Sequence, residues 1–503
     1  MMDMANHRRL SRTTVPENTL LTPTVPETTG IVHLGLGNFH RAHQAVYTAL
    51  ALAHEPGPWG ILGVANRSHT VTDAMALQDE LYSVVQISPA GSTVTVPGVH
   101  TGTLVASDAP EEVVAALAAP TTRIVTVTVT ENGYHLDPDT GGLDLTAPEI
   151  VGDLAEDVAP GTTVGLIARA LIRRAQTHRA PVTVLSCDNL VSNGRQTEQV
   201  VRDFLRAVQA HETLAWMDEG AVTFPNSMVD RIVPASADGY NDEASAQLGV
   251  RDTIAVPAEP FSMWVVEDVF AAGRPAWEHA GVRFTHDVEP YELMKVRLLN
   301  GTHSLIAYLG ALSGAATIPE SVGRPLIAAA ARSVLRHEYL PTVPVPADVD
   351  IDKYIRQLFS RWSNTALGHR TSQVGSDGSV KLAQRIPEPA LVALKSGRMP
   401  EYLALTVAAY LCAIAPPPGF EPGPHARAMT DPARERLVAM AQCATSTLDF
   451  VREVSISGGI LPTSMAAHDD FIGRIAQYID LIVNQGVVVA LNTAAESETT
   501  PTR

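Results

Sequence analysis

The segment Lys295-Val296-Arg297-Leu298-Leu299-Asn300-Gly301-Thr302-His303 sets a lysine, an asparagine and a histidine at spacings of five and three in a mostly apolar stretch. An α-helix turns about 100° per residue, which puts Asn300 about 140° and His303 about 80° from Lys295. The three side chains then share one broad face. An amine, a neutral amide and an imidazole on one face suit hydride transfer at a carbinol carbon. That reaction needs a base for the hydroxyl proton and donors for the developing oxyanion. Taken singly, each has a plainer reading. Lys295 suits a solvated face, Asn300 a local helix break, and His303 is one of 17 histidines. Their joint spacing is what raises them.

Further polar clusters interrupt apolar runs. Ser186-Cys187-Asp188-Asn189 ends a strand-like stretch, with Asn193-Gly194 just after. Asn189 would complete an oxyanion hole with Asn300; Asn193 is the nearby alternative, and an ordinary turn explains both. Phe224 to Pro234 contains Asp230-Arg231, which reads also as an internal ion pair. His369-Arg370-Thr371-Ser372-Gln373 and Asp377-Gly378-Ser379-Val380-Lys381 place cations and hydroxyls in one loop-like region, fit for a polyhydroxylated or carboxylated ligand or for a solvated loop. Tyr291 and Lys295 also match the Tyr-x-x-x-Lys of short-chain dehydrogenases. Those chains are about half this length and carry the pair inside the nucleotide domain, so the match is coincidental. No zinc-protease, nucleophile-elbow or Walker spacing is present, and no metal is expected.

A hydride carrier needs a cradle, and Gly35-Leu36-Gly37-Asn38-Phe39-His40 offers one after a first strand and before a helix. Two glycines allow a tight turn and close approach of a pyrophosphate. The third glycine of the usual fingerprint is replaced by His40. The set Gly35, Gly37, Asn38, Phe39 and His40 is therefore the expected cofactor turn. After the second strand comes Asn66-Arg67-Ser68-His69, with no acidic residue before Asp73. NAD usually takes an acid there, and NADP tolerates Arg67, so NAD is expected with NADP open.

These residues need a frame. Gly30–Gly37, Trp59–Ala65, Leu81–Val85, Thr93–Val96, Arg123–Thr130 and Val182–Ser186 read as strands, with helical stretches between. Beyond about residue 285 nearly every segment favours helix, Pro290–Leu312 among them. The expected fold class is α/β: a doubly wound Rossmann-type sheet over 30–285, then a mostly helical catalytic domain over 286–491. Residues 1–29 read as a flexible or loosely docked arm and 492–503 as a disordered tail. A net charge of −18 argues against nucleic-acid or anionic-membrane partners. Three scattered cysteines and the lack of a signal peptide fit the cytoplasm. Nothing forces an interface, so a monomer or weak homo-oligomer is expected.

Gly35-x-Gly37-x-Phe39-His40-Arg41-Ala42-His43-Gln44, the Val229-Asp230-Arg231 signature and Lys295-x-x-x-x-Asn300-x-x-His303 together resemble the polyol-specific long-chain dehydrogenase (mannitol dehydrogenase) family over roughly residues 30–490. The resemblance implies a zinc-independent NAD(P) oxidoreductase with Lys295 as general acid/base. It implies Asn300 and Asn189 as oxyanion donors, His303, Asp230 and Lys381 as ligands of substrate hydroxyls, and Glu131 and Glu292 as helpers in proton transfer. Mannitol-oxidising members carry an arginine eight positions before the loop lysine, where this chain has Gln373. Arg370, three residues earlier, would hold a carboxylate. The pattern is similar to the branch that reduces ketouronates, implying D-fructuronate/D-mannonate, with D-fructose/D-mannitol or another hexitol pair as the alternative.

Overall fold

A computed structural model describes residues 8–22, 26–137, 140–155, 158–457 and 459–499. The chain forms two compact units, Met1–Glu289 and Pro290–Arg503. The boundary expected at 285/286 lies four residues earlier than this division.

Among the described residues the first unit holds twelve strands. β1 (Thr29–Leu34), β2 (Gly60–Ala65), β5 (His100–Val105), β6 (Ile124–Val127), β7 (Val182–Ser186) and β8 (Val222–Thr223) make one parallel sheet in the order β5-β2-β1-β6-β7-β8. Between β2 and β5 the chain inserts the antiparallel pair β3 (Val84–Ser88) and β4 (Gly91–Thr95), which joins β10 (Val256–Ala258) in a second sheet. With that pair set aside, the main sheet has the doubly wound dinucleotide-binding order, reversing direction between β1 and β6. A third sheet has the order β12-β11-β9, from Arg283–Thr285, Met263–Glu267 and Ser227–Asp230.

β1 is buried at every position from Gly30 to Leu34 because helices cover both faces of a parallel sheet. Its side chains alternate between two cores: Val32 and Leu34 join Val125, Val127 and Val184 on one side, and Ile31 joins Ile61, Ile124 and Leu185 on the other. His33 shares the Ile31 face by the same period. Part of the expected arm is docked: Leu10 is buried and its N–H bonds Arg251 O at 2.8 Å, while Leu20 bridges Val96. Met1–His7 lie outside the described residues.

The second unit is helical. Glu401–Ile414 is buried at all its positions and packs against Thr302–Leu312 and Asp469–Gln485. Two findings correct the sequence reading. Residues 492–499 form no loose tail but the end of the helix Val487–Thr499, anchored by buried Leu491 and Ala494; Thr500–Arg503 lie outside the described residues. The stretch 290–312 is not one α-helix, since Met294–Gly301 is π-helical and α-helix resumes at Thr302. Among the described residues no helix is long and apolar enough to cross a membrane.

Candidate active site

The π-helical segment changes the angular argument for Lys295. Its bonds run from residue i to i+5 and its turn is wider, so residues five apart lie within about 50° of each other instead of about 140°. Lys295 and Asn300 are spaced by five and both fall inside Met294–Gly301. His303 follows one short turn later in Thr302–Leu312. The wider turn thus stacks the three side chains more closely than an α-helix would. Lys295 and Asn300 are half-buried.

His303 is buried, and its Nε2 has no hydrogen-bond partner among the described residues. Its ring meets His369 edge-on at 5.1 Å and lies 6.2 Å from Trp362. Burial pushes the His303 pKa well below its usual value, and His369, Arg385, Arg361 and Lys381 push it further the same way. The imidazole is therefore neutral at physiological pH, one nitrogen donating and the other accepting. Tyr291 donates its hydroxyl to Asp348 Oδ1 at 2.5 Å.

The remaining second-unit candidates differ in exposure. Lys381 donates to Ser376 O at 2.6 Å and lies 3.9 Å from Asp377, which anchors its ammonium at the start of Gly378–Arg385. Arg370 and Gln373 are exposed at the start of Thr371–Gly375, where Arg370 bridges Thr317 through the backbone. Glu292 is buried and Glu131, in the first unit, is exposed.

In the first unit the glycine turn closes over the end of β1. Gly35 has φ +103°, and a Cβ there would lie 2.0 Å from Thr128 O. Only glycine fits. Gly35 and Leu36 N–H donate to Val64 O, and Gly37 N–H donates to Gly35 O at 2.6 Å. The Gly35 carbonyl also accepts from Thr128 Oγ1 at 2.9 Å and from His33 Nε2 at 3.0 Å. His33 must therefore carry its proton on Nε2, leaving Nδ1 to accept from Thr126 Oγ1 at 2.8 Å. Asn38 donates to Ser236 Oγ and accepts from Arg41, and Phe39 stacks on His43.

His40 corrects an expectation. It is fully buried below the turn, stacked on His33 at 3.4 Å and bonded to His100 Nε2, so it supports the turn instead of lining it. Asn66, Arg67, Ser68 and His69 are exposed beyond β2, and Ser68 caps the next helix.

At the ends of β6 and β7, Asp188 accepts from the N–H groups of Val129 and Thr130 and from the Tyr134 hydroxyl. Burial lifts its pKa, while those three donors pull the other way. The clamp holds Thr130 at φ +66°, an uncommon backbone for a β-branched residue. Asn193 is buried and fully engaged: its Nδ2 donates to Asp188 O and Ser227 O, and its Oδ1 accepts from Ser227 N–H. Asn189 is exposed at the tip. Asp230 is buried at the end of β9, and Arg231 donates to the carbonyls of Glu259 and Ala42.

Sequence reading missed His33 as a support and Asp188 as a clamp. His33 had a signal, a polar residue inside an apolar strand; Asp188 had only its place in a turn-like cluster. Among the described residues no group of three or more His, Cys, Asp or Glu could hold a metal ion.

A doubly wound sheet with a glycine turn at its reversal point, joined to a helical unit bearing a lysine, an amide and a neutral imidazole, defines an oxidoreductase acting on CH–OH groups. The mannitol dehydrogenase Rossmann domain matches residues 29–279, and the mannitol dehydrogenase C-terminal domain matches residues 287–442. The D-mannonate oxidoreductase of Escherichia coli (strain K12) is 37% identical over 463 residues, covering 91% of this chain and 93% of that relative. A mannitol 2-dehydrogenase of Cereibacter sphaeroides is 40% identical over 384 residues, covering 75% and 79%. Among solved structures, the Pseudomonas fluorescens mannitol 2-dehydrogenase ternary complex with NAD and D-mannitol aligns with TM-score 0.83 at 32% identity, covering 97% of this chain and 99% of that one. The chain belongs to the mannitol dehydrogenase family.

Proposed function

We propose that this protein transfers hydride between NAD and a ketouronate/aldonate pair, D-fructuronate and D-mannonate. The observation that carries the chemistry is the π-helical register of Lys295 and Asn300, followed by a buried His303 whose Nε2 lacks a partner among the described residues. The Gly35 turn fits a dinucleotide, because only glycine allows the tight turn against Thr128 that opens the helix Asn38–Ala42, and the carbonyl below it is already anchored. A dinucleotide held by that turn would supply the hydride acceptor for oxidation and the hydride donor for reduction. Lys295 takes the hydroxyl proton in oxidation and gives it back in reduction. The Asn300 and Asn189 amides donate to the oxygen on the reacting carbon, and a substrate hydroxyl satisfies His303 Nε2. Asp230 and Lys381 bind further hydroxyls, and Glu131 and Glu292 pass protons toward Lys295.

The substrate pair rests on the near-complete alignment with D-mannonate oxidoreductase and on Arg370, exposed in a region that would meet a carboxylate. A second reading, D-fructose/D-mannitol, is favoured by the aligned ternary complex with D-mannitol. Either substrate is consistent with a cytoplasmic enzyme, monomeric or weakly self-associating.

The test is a parallel assay of D-fructuronate and D-fructose, each with NADH and NADPH. Preferential turnover of D-fructuronate with NADH is expected; preference for D-fructose establishes the second reading. Lys295→Ala should lower kcat by about 100-fold or more while still binding dinucleotide. Near-normal turnover in that variant removes the proposed mechanism.

A further inference from the structure

The peptide that follows Asn300 is held from behind by groups that no proposed catalytic role uses. Arg385, the last residue of the helix Gly378–Arg385, directs Nη1 at two acceptors: Asn300 O at 3.0 Å and Ser304 Oγ at 2.7 Å. Ser304 Oγ donates to the same Asn300 carbonyl at 3.2 Å. One carbonyl oxygen thus receives a guanidinium N–H and a hydroxyl. Those two donors are themselves bonded, so the three groups form a closed triangle.

The other end of that peptide is fixed sterically. A Cβ on Gly301 would lie 2.4 Å from Tyr339 Cζ, so the Tyr339 ring seals the Gly301 side. Tyr339 and Tyr308 are both fully buried and are the electrostatic neighbours of the Arg385 guanidinium. Neither phenol oxygen has a hydrogen-bond partner among the described residues.

A physical reason for such bracing lies in the helix itself. Where bonding changes from i→i+5 to i→i+4, N–H groups and carbonyls no longer pair one to one, because one carbonyl about a turn before the change is skipped. Asn300 and Gly301 are the last two residues before that change. The Asn300 carbonyl lies beside that change, and the two side-chain donors on it tether the segment there. Without that tether the π segment is free to relax toward an α-helix, which would turn Asn300 away from Lys295.

We propose that Arg385, with Ser304, is a positioning residue for the reaction: it holds the Asn300–Gly301 peptide in the π-helical register and so aims the Asn300 amide. This rests on the reading of Lys295 and Asn300 as reacting groups. Arg385 touches neither substrate nor cofactor in this role. A lysine would keep the charge but not the rigid planar guanidinium that holds the two Nη1 N–H groups on these acceptors.

The experiment uses the full chain with Arg385→Ala, Arg385→Lys, Ser304→Ala and the Arg385→Ala/Ser304→Ala double variant. It measures kcat, KM, melting temperature and dinucleotide affinity by NADH fluorescence. Misplacing a reacting group by about 1 Å costs about 100-fold, so Arg385→Ala is expected to lose kcat on that scale with NADH affinity unchanged. Methylguanidinium in the assay should restore part of that kcat. The double variant should lose much less than the product of the single losses, since both donors serve one carbonyl. Turnover by Arg385→Ala within about threefold of the parent overturns the proposal. So do additive losses in the double variant, or a kcat loss that methylguanidinium leaves untouched. Should Arg385→Ala fail to fold, Arg385→Lys decides: reduced kcat at an unchanged melting temperature supports the role, and parental kcat overturns it. Lys295→Ala run alongside separates the two levels. Full turnover there sinks the catalytic reading itself, whereas loss there with normal Arg385 variants sinks only the positioning role.

Discussion

Two asparagines, three and seven residues beyond the end of β7, do different work. Asn193 spends both ends of its amide on Asp188 O, Ser227 O and Ser227 N–H, tying β7 to β9. Asn189 lies exposed at the tip. Asn193→Ala should therefore leave buried backbone groups unpaired and destabilise the first unit by about 1–3 kcal/mol per group, seen as a lower urea midpoint. Asn189→Ala should leave that midpoint in place and reduce kcat by about 100-fold, the usual loss of one oxyanion donor. Parental kcat in Asn189→Ala would remove it from the oxyanion hole. Composition could not separate these two, because turn-forming residues look alike until their partners are known. His40 was misplaced for a related reason. A histidine at the third-glycine position reads as a contact, while its partners His33 and His100 come from two other strands.

At the scale of elements, the alternation of strands and helices was legible because a two-sided parallel sheet writes apolar runs into the sequence. The π-helical turn was not. Over eight residues an apolar pattern is compatible with bonding to i+4 or i+5, and what selects the latter is tertiary: Arg385 on one side and Tyr339 on the other. Gly301 is where this can be probed. A Cβ 2.4 Å from Tyr339 Cζ forces either the ring or the helix to move. Gly301→Ala is expected to destabilise the second unit by about 1–3 kcal/mol, typical of overpacking, and to lower kcat. Tyr339→Leu in the same chain should recover part of the melting temperature by vacating the ring's edge. An unchanged melting curve for Gly301→Ala would show that the turn yields freely.

At the scale of the whole chain, buried neutral histidines set an acid limit. Burial depresses His33 and His100 to about 3 and His369 to about 4, and takes His40 and His303 well below the usual value. Three of these five, His33, His40 and His100, lie in the first unit beneath the glycine turn. Unfolded, each titrates near about 6.5. Between that value and the folded one, the unfolded chain binds more protons than the native chain, so stability falls as pH drops through the window. Each histidine contributes a slope of up to about 1.4 kcal/mol per pH unit. Acidification also reduces the self-repulsion of a chain carrying −18, which acts in the opposite direction. That repulsion is spread over a screened surface, whereas the histidine term is local and unscreened, so the histidines should prevail. Of the five tryptophans, Trp59, Trp216, Trp264 and Trp277 belong to the first unit and Trp362 to the second, so tryptophan emission reports chiefly on the first. Urea unfolding followed by that emission should show its midpoint falling steadily from pH 7 to pH 5. His33→Asn should flatten the slope by about one proton's worth, because the shorter amide keeps no group that titrates there. A midpoint independent of pH across that interval would mean that the stack beneath Gly35 is already hydrated, and would remove the support this structure gives to the turn.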